Sequence, residues 1–133
     1  MSRFVLTGDV RQETFDWGQV GWRCIPPITG SKQLAVVDVV LGPGKGHDFH
    51  KHPDQEEMII VTSGRIEQWI EQQSHELGPG DSVYIDADIV HASFNTGTED
   101  AHLQVVLGPA MGDGGYELVD VSGDEPWASL RSA

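Results

Sequence analysis

The sequence predicts an all-β fold, either a sandwich or a closed barrel, in one domain that spans residues 1–133. Short runs of β-branched and aromatic residues alternate with turns rich in glycine and proline. No window keeps an apolar period of 3.6 residues over three helical turns, and no repeat or linker divides the chain. Many short strands with frequent turns are typical of β-sandwiches and β-barrels.

The elements follow from these runs in chain order. Residues 1–30 mix short apolar pieces with polar residues, which predicts edge strands and loops around the body. Residues 31–108 form the predicted barrel core, and residues 109–133 a C-terminal strand and a tail. We expect Trp127 and Leu130 of the tail to pack onto the body or a second subunit, in one helical turn. The predicted core strands are 34–41, 58–62, 65–71, 82–85, 92–95 and 103–107.

Charge and composition exclude several classes of partner. Eight basic residues against 21 acidic ones give a net charge of −13, which repels nucleic acids and anionic membranes. The longest apolar stretch, 34–41, is interrupted by Asp38 and is too short to span a membrane. The N-terminus lacks the apolar region of a secretory signal, and the lone Cys24 has no partner for an internal disulfide. These features predict a cytoplasmic protein.

Segment 44–64 carries the strongest chemical signal. His50 and His52 are two residues apart, so their side chains project from one face of a strand, whereas on a helix they would diverge. Glu57 has the wrong parity for an uninterrupted strand, but the Pro-Asp pair at 53–54 supplies a turn or bulge that returns it to the same side. Two imidazoles and a carboxylate from one hairpin form a facial set that leaves coordination positions open on a metal.

Segment 80–95 supplies a fourth candidate ligand. His91 opens a predicted strand after a polar turn, and Asn95 lies four residues further on the same face. We therefore expect His91 to join the ligands and Asn95 to hydrogen-bond to one of them. Glu56 is the nearest alternative to Glu57, should the turn shift the register.

The two segments resemble the two sequence motifs of the cupin superfamily. The first follows the pattern G-x5-H-x-H-x4-E-x6-G and matches at Gly44, His50, His52, Glu57 and Gly64. The second follows G-x5-P-x-G-x2-H-x3-N and matches at Gly80, His91 and Asn95, with Asp86 and Asp88 in place of the proline and glycine. On these matches the chain is identified as a small single-domain cupin.

The resemblance implies a fold, a cofactor and an assembly. The fold is the conserved cupin β-barrel, a double-stranded β-helix or jelly roll of two antiparallel sheets, and the common assembly is a homodimer. The cofactor is one divalent transition metal, namely iron, manganese, nickel, cobalt, copper or zinc. Its implied ligands are His50, His52, Glu57 and His91.

The resemblance leaves the reaction open. A metal with open positions favours a dioxygenase-type oxidoreductase that acts on a small organic substrate, with Glu57 doubling as a base. One alternative is a metal-dependent isomerase or lyase on a sugar-like substrate, in which Asp48 or His102 moves protons. A phosphosugar is disfavoured because few cationic side chains lie near the motif. The other alternative is a cupin that binds a small molecule without turnover.

Other residues near the motifs have weaker expectations. Asp48 shares the parity of the ligands, so it is a candidate for a catalytic proton acceptor beside the metal, with an acidic residue at the rim or in a turn as the alternative. His47 has the opposite parity and is expected to be a surface or loop residue, whereas His102 could point into the barrel. Four aromatic residues are expected in the core or wall of the barrel: Phe49, Trp69, Tyr84 and Phe94.

Overall fold

The computed structural model describes residues 2–131, so Met1, Ser132 and Ala133 of the predicted domain lie outside the described residues. Within these residues it contains eleven strands, one 3₁₀ helix (Thr7–Asp9) and two short α-helices, α1 (Pro26–Thr29) and α2 (Trp127–Leu130). The strands are β1 (Arg11–Phe15), β2 (Gly18–Cys24), β3 (Ala35–Leu41), β4 (Gly46–Lys51), β5 (Glu56–Ser63), β6 (Ile66–Ile70), β7 (Gln73–Leu77), β8 (Ser82–Ile85), β9 (His91–Phe94), β10 (Ala101–Gly108) and β11 (Val119–Asp120).

These strands form two antiparallel sheets, which confirms the predicted all-β cupin barrel. The six-stranded sheet has the order β1-β2-β3-β10-β5-β8, and the five-stranded sheet has the order β11-β4-β9-β6-β7. No helix among residues 2–131 is long and apolar enough to cross a membrane.

Strict alternation of side chains builds the core of the six-stranded sheet. In β3, Ala35, Val37, Val39 and Leu41 are buried, while the residues between them are only partly covered. Strand β10 alternates in the same way and pairs antiparallel with β3. Because successive side chains of a strand point to opposite faces, this period places one apolar row of each strand inside the barrel.

The C-terminal tail covers the outer face of the five-stranded sheet. Trp127 and Leu130 of α2 pack against an apolar cluster on that face, which contains Phe49 and Phe94. The backbone N–H of Val121 donates to the carbonyl of Phe49 at 3.1 Å and holds the tail at this position. The prediction that the tail packs onto the body in one helical turn is therefore confirmed.

The six predicted core strands are all present, each within two residues of its expected bounds. Strand β7 was not predicted, because four of its five side chains are exposed polar groups at a sheet edge and carry no apolar alternation.

The N-terminal region forms the hairpin of β1 and β2, with β1 at the sheet edge as expected. Tyr84, expected in the core or wall, is 51% exposed and its hydroxyl donates to Glu56.

Candidate metal site

The four ligands predicted from the sequence come together inside the barrel. His50 on β4, His52 just after it, Glu57 on β5 and His91 on β9 each offer one ligand atom, and these atoms lie within 4.8 Å of one another. All four residues are at most 6% exposed. His50 and His91 are direct partners across the β4–β9 pair, which explains why residues so far apart in sequence meet.

Glu57 reaches this cluster from the opposite sheet. The sequence suggested that it shares a hairpin with His50 and His52, but β4 and β5 belong to different sheets. The turn at residues 53–54 carries the chain across the barrel, and the carbonyl of His52 accepts the N–H of Asp88 at 2.9 Å beside that crossing. The inner faces of both sheets look into the barrel, so the ligands converge across it.

Each histidine is held by a backbone carbonyl at its Nδ1 atom. A carbonyl can only accept a hydrogen bond, so Nδ1 carries the proton and the lone pair of Nε2 is free to face the centre of the cluster. This is the arrangement that orients imidazoles toward a metal. For His50, His52 and His91 the acceptors are the carbonyl oxygens of Asp48, Glu117 and Ile89, at 2.7, 2.8 and 2.9 Å.

The cluster contains two buried polar atoms that the protein leaves unsatisfied. Glu57 Oε1 lies 2.8 Å from His91 Nε2 and 3.3 Å from His52 Nε2. The 2.8 Å approach is not aligned as a hydrogen bond, and within residues 2–131 neither atom of that pair has a hydrogen-bond partner. Buried polar atoms without partners are costly, and a divalent cation between them would satisfy both. The residues therefore fit a divalent transition metal, and their nitrogen and oxygen donors suit several such ions.

The charges around the cluster favour an ionised carboxylate. Burial raises the pKa of Glu57, but the neighbouring His91 and His52 outweigh burial and hold that pKa well below its ordinary value. Burial lowers the pKa of His50 well below 6.5, and His47 and His91 lower it further. Burial also lowers the pKa of His91, yet the Glu57 carboxylate outweighs it and raises that pKa. An ionised Glu57 beside a neutral His50 is the protonation state in which such groups bind metals.

The cluster lines a cavity with a largely apolar wall. The cavity is partly open to solvent, and its volume is about 40 Å³. None of the described residues that line it is a lysine or an arginine. Its other polar or aromatic groups are Trp17, His47, Ser93 and Tyr116, and its apolar wall consists of Val20, Val37, Val39, Leu41, Ile59, Leu103, Val105 and Leu107.

His47 lines this cavity, so the expectation of a surface or loop histidine was wrong. Its ring stacks on His50 with 3.8 Å between centroids and on Trp17 with 4.1 Å. The pairing of β4 with β9 shifts register between His47 and His50, and this irregularity breaks the alternation on which the expectation depended. Burial is the main cause that lowers the pKa of His47 to about 4, so the ring is neutral at pH 7.

Trp17, His47 and His50 also line a neighbouring outer depression, which we call the cavity mouth. Asp48 lines this depression rather than the inner cavity, and its carboxylate is exposed. One of its oxygens accepts the backbone N–H of Phe49 at 2.8 Å. Asp48 is not one of the four clustered residues, so any contact of its carboxylate with substrate would take place at the mouth.

The structure decides the open position of His102 and overturns the expectation for Asn95. His102 is exposed on β10 and does not point into the barrel. Asn95 is buried, but its amide binds loop backbone and no ligand: it donates to the carbonyls of Leu41 and Glu99, both at 2.7 Å, and accepts the N–H of Gly97 at 2.9 Å. Asn95 follows the last residue of β9, so the parity argument did not apply to it.

Gln55 is a positioning residue that the sequence did not indicate. Its buried amide donates to the carbonyls of Pro109 and Gly115 at 2.7 and 3.0 Å, and its oxygen accepts the N–H of Glu117 at 3.0 Å. The carbonyl of Glu117 in turn orients His52. Gln55 therefore fixes a distant segment against a candidate ligand. It occupies an unspecified position between the motif histidine and glutamate, where the pattern carries no signal.

Comparisons with known proteins agree with this fold. A family model described as the cupin domain matches residues 37–107. The chain is 32% identical to protein SchB from Streptomyces halstedii over 108 residues, which cover 81% of this chain and 78% of SchB. It is 30% identical to polyketide synthase CurC from Streptomyces cyaneus over 70 residues, which cover 53% of this chain and 46% of CurC, less than half of that protein.

A solved structure extends the likeness along the whole chain. The polyketide cyclase RemF from Streptomyces resistomycificus superimposes with a TM-score of 0.77 and 17% identity, and the match covers 100% of this chain and 94% of RemF. Identity this low shows the fold alone. Together with the family match over 37–107 and the likeness to SchB, it leads to one conclusion: this chain belongs to the cupin family.

Proposed function

We propose that this chain is a metal-dependent enzyme that closes a ring in a small polyketide-like substrate. The observation that carries the proposal is a largely apolar cavity whose described lining residues include no lysine or arginine and do include His50, His52, Glu57 and His91. Such a wall suits a flat, uncharged molecule, and the clustered histidines and Glu57 would face a polar group of that molecule. The likeness to CurC and RemF, a polyketide synthase and a polyketide cyclase, supports this substrate class.

Ring closure in a polyketone needs a proton removed from carbon and a proton given to oxygen. A methylene between two ketones loses a proton, its carbon forms a bond to a second carbonyl carbon, and the new alkoxide takes a proton. A bound divalent metal supplies Lewis-acid polarisation of the ketone oxygens. Because Glu57 is anionic and lines the cavity, it is our candidate for the base.

The other residues of the chain orient the substrate and exclude water. The apolar rows of β3 and β10 would hold the hydrocarbon part of the substrate in a water-poor space. Trp17 and His47 stand between the cavity and the outer depression, where a substrate would enter. Asp48 remains a proposed proton acceptor at that mouth, because its carboxylate is exposed to the outer depression.

A dioxygenase-type oxidoreductase is the second candidate. The four clustered residues all line the cavity, so a metal held by them would be accessible to a substrate and a second reactant. The apolar wall fits this chemistry equally well. It fits a sugar poorly, because a sugar presents many hydroxyl groups that Val and Leu side chains leave without partners. We therefore keep the isomerase or lyase on a sugar as the weakest proposal.

One experiment separates these functions. Protein reconstituted with Fe²⁺, Mn²⁺, Co²⁺, Ni²⁺, Cu²⁺ or Zn²⁺ is incubated with a synthetic aromatic polyketone, with and without dioxygen, and products and oxygen uptake are measured. Ring closure without oxygen uptake supports the cyclase, and oxygen-dependent products support the dioxygenase. Thermal stabilisation by the polyketone without turnover would indicate a binding protein and refute both enzymes. Glu57→Gln tests the base, and His75→Ala, an exposed histidine on β7, is the matched control for the histidine ligands.

A further inference from the structure

Ser93 places a buried hydroxyl in the wall of the cavity, which is largely apolar apart from the candidate ligands, Trp17, His47 and Tyr116. It lies on β9, two residues after His91, and both side chains line the cavity. Ser93 is 5% exposed, and its cross-strand partner on β6 is Gln68, which is 2% exposed. A buried polar pair in an apolar wall must satisfy its own hydrogen bonds, so the direction of each proton can be worked out.

The amide of Gln68 is held in one orientation. Its Nε2 donates to the carbonyl of Trp69 at 3.1 Å. If the amide were flipped, its oxygen would face that carbonyl oxygen, and two acceptors repel each other. Gln68 therefore presents its oxygen to Ser93.

The only hydroxyl proton of Ser93 is donated to that oxygen. The Ser93 hydroxyl donates to Gln68 Oε1 at 2.6 Å. A serine hydroxyl has one proton and two lone pairs, so toward the cavity Ser93 can only accept. A ketone or ether oxygen at this position would meet lone pairs, whereas a hydroxyl group would find an acceptor.

We propose that Ser93, fixed by Gln68, is a specificity-determining residue that selects a substrate carrying a hydroxyl group at the distance of one strand period, about 7 Å, from the metal end of the cavity. The inference rests on the proposed function, because it assumes that a flat polyketide-like molecule enters this cavity. It adds that the molecule carries a phenolic or enolic hydroxyl remote from the oxygens at the metal end. A substrate with only carbonyl groups at that position is rejected.

The test compares three probes that share one metal-binding end. Naphthalene-2,3-diol, its 6-hydroxy derivative and its 6-methoxy derivative are titrated into Zn²⁺-loaded protein, and dissociation constants are measured by calorimetry. We expect the 6-hydroxy probe to bind about fivefold to tenfold more tightly than the 6-methoxy probe, as one hydrogen bond predicts. In Ser93→Ala this preference disappears.

A second variant turns Ser93 from a hydrogen-bond acceptor into a donor toward the cavity. In Gln68→Met the Ser93 proton loses the acceptor that holds it away from the cavity. We therefore expect the 6-methoxy probe to gain affinity while the 6-hydroxy probe loses its advantage. Ser82→Ala, an exposed serine on β8, is the matched control and leaves all three affinities unchanged. If Gln68→Met does not fold, the comparison of wild type with Ser93→Ala still decides the question.

The outcomes separate this inference from the proposed function. If none of the three diols binds the Zn²⁺-loaded protein, the proposed substrate class is wrong and this inference fails with it. If all three bind with equal affinity, or if Ser93→Ala keeps the preference for the hydroxyl, the role of Ser93 is refuted while the proposed function stands.

Discussion

Removing the amide of Gln55 should weaken both the fold and the metal site. In Gln55→Ala three hydrogen bonds of a 2% exposed side chain are lost, those to Pro109, Gly115 and Glu117. At about 1 kcal/mol of net stabilisation each, the free energy of unfolding should fall by about 3 kcal/mol. For a domain of this size that loss lowers the melting temperature by about 10 °C.

The effect on the metal follows through Glu117, whose carbonyl holds Nδ1 of His52 at 2.8 Å. Partners that orient a ligand in this way typically contribute tenfold to 100-fold in metal affinity, so we expect the variant to bind Zn²⁺ about tenfold or more weakly. Unfolding is followed in urea on metal-free protein, and affinity by competition with a chromophoric chelator under folded conditions. Gln73→Ala, an exposed glutamine on β7, is the matched control.

Two results would refute this reasoning. A loss of stability below 1 kcal/mol would mean that the three hydrogen bonds of Gln55 do not hold residues 109–117 in place. A full loss of stability with unchanged metal affinity would mean that the carbonyl of Glu117 does not position His52.

Three further substitutions test other parts of the account. Burial raises the pKa of Asp38, but Arg23 and Gln104 outweigh burial and keep that pKa below 3.8 in the folded protein. The stabilising contribution of Asp38 is therefore present above about pH 4 and is lost as the pH falls through its pKa in the folded state. Asp38→Asn should therefore cost about 1 kcal/mol at pH 7 and little at pH 2 in urea titrations. Asn95→Ala removes three hydrogen bonds, so the free energy of unfolding should fall by about 3 kcal/mol while the affinity for Zn²⁺ stays unchanged. A loss of Zn²⁺ affinity without that loss of stability would mean that Asn95 does act on a metal ligand. Trp127→Ala should cost about 2 kcal/mol in the same assay, and no change would mean that the tail is not packed on the sheet.

The sequence predicts the central strands and the ligand set because both depend on local signals. Strand β3 alternates buried and partly covered residues, so its period is visible in the chain itself. The ligands are visible because histidine and glutamate at fixed spacings are uncommon outside metal sites. Strand β7 lacks such a signal, since its side chains face solvent and its existence depends on pairing with β6.

The surroundings of the cluster depend on long-range pairing, which the sequence does not reveal. The register shift between His47 and His50 exists only because β4 pairs with β9, and it turns His47 into the cavity. The path of Glu57 to the opposite sheet is likewise a property of the closed barrel. Gln55 acts through backbone atoms more than fifty residues away, so no local pattern marks it.

The central claim is that one divalent transition metal is held by the four clustered side chains. Its most direct test is the metal content of protein purified without chelator and then reconstituted and desalted, measured by elemental analysis beside His50→Ala, His91→Ala and the control His75→Ala. We expect about one equivalent in the wild type and the control, and almost none in the two ligand variants. A folded wild type that retains no divalent ion, or ligand variants that retain a full equivalent, would contradict the claim.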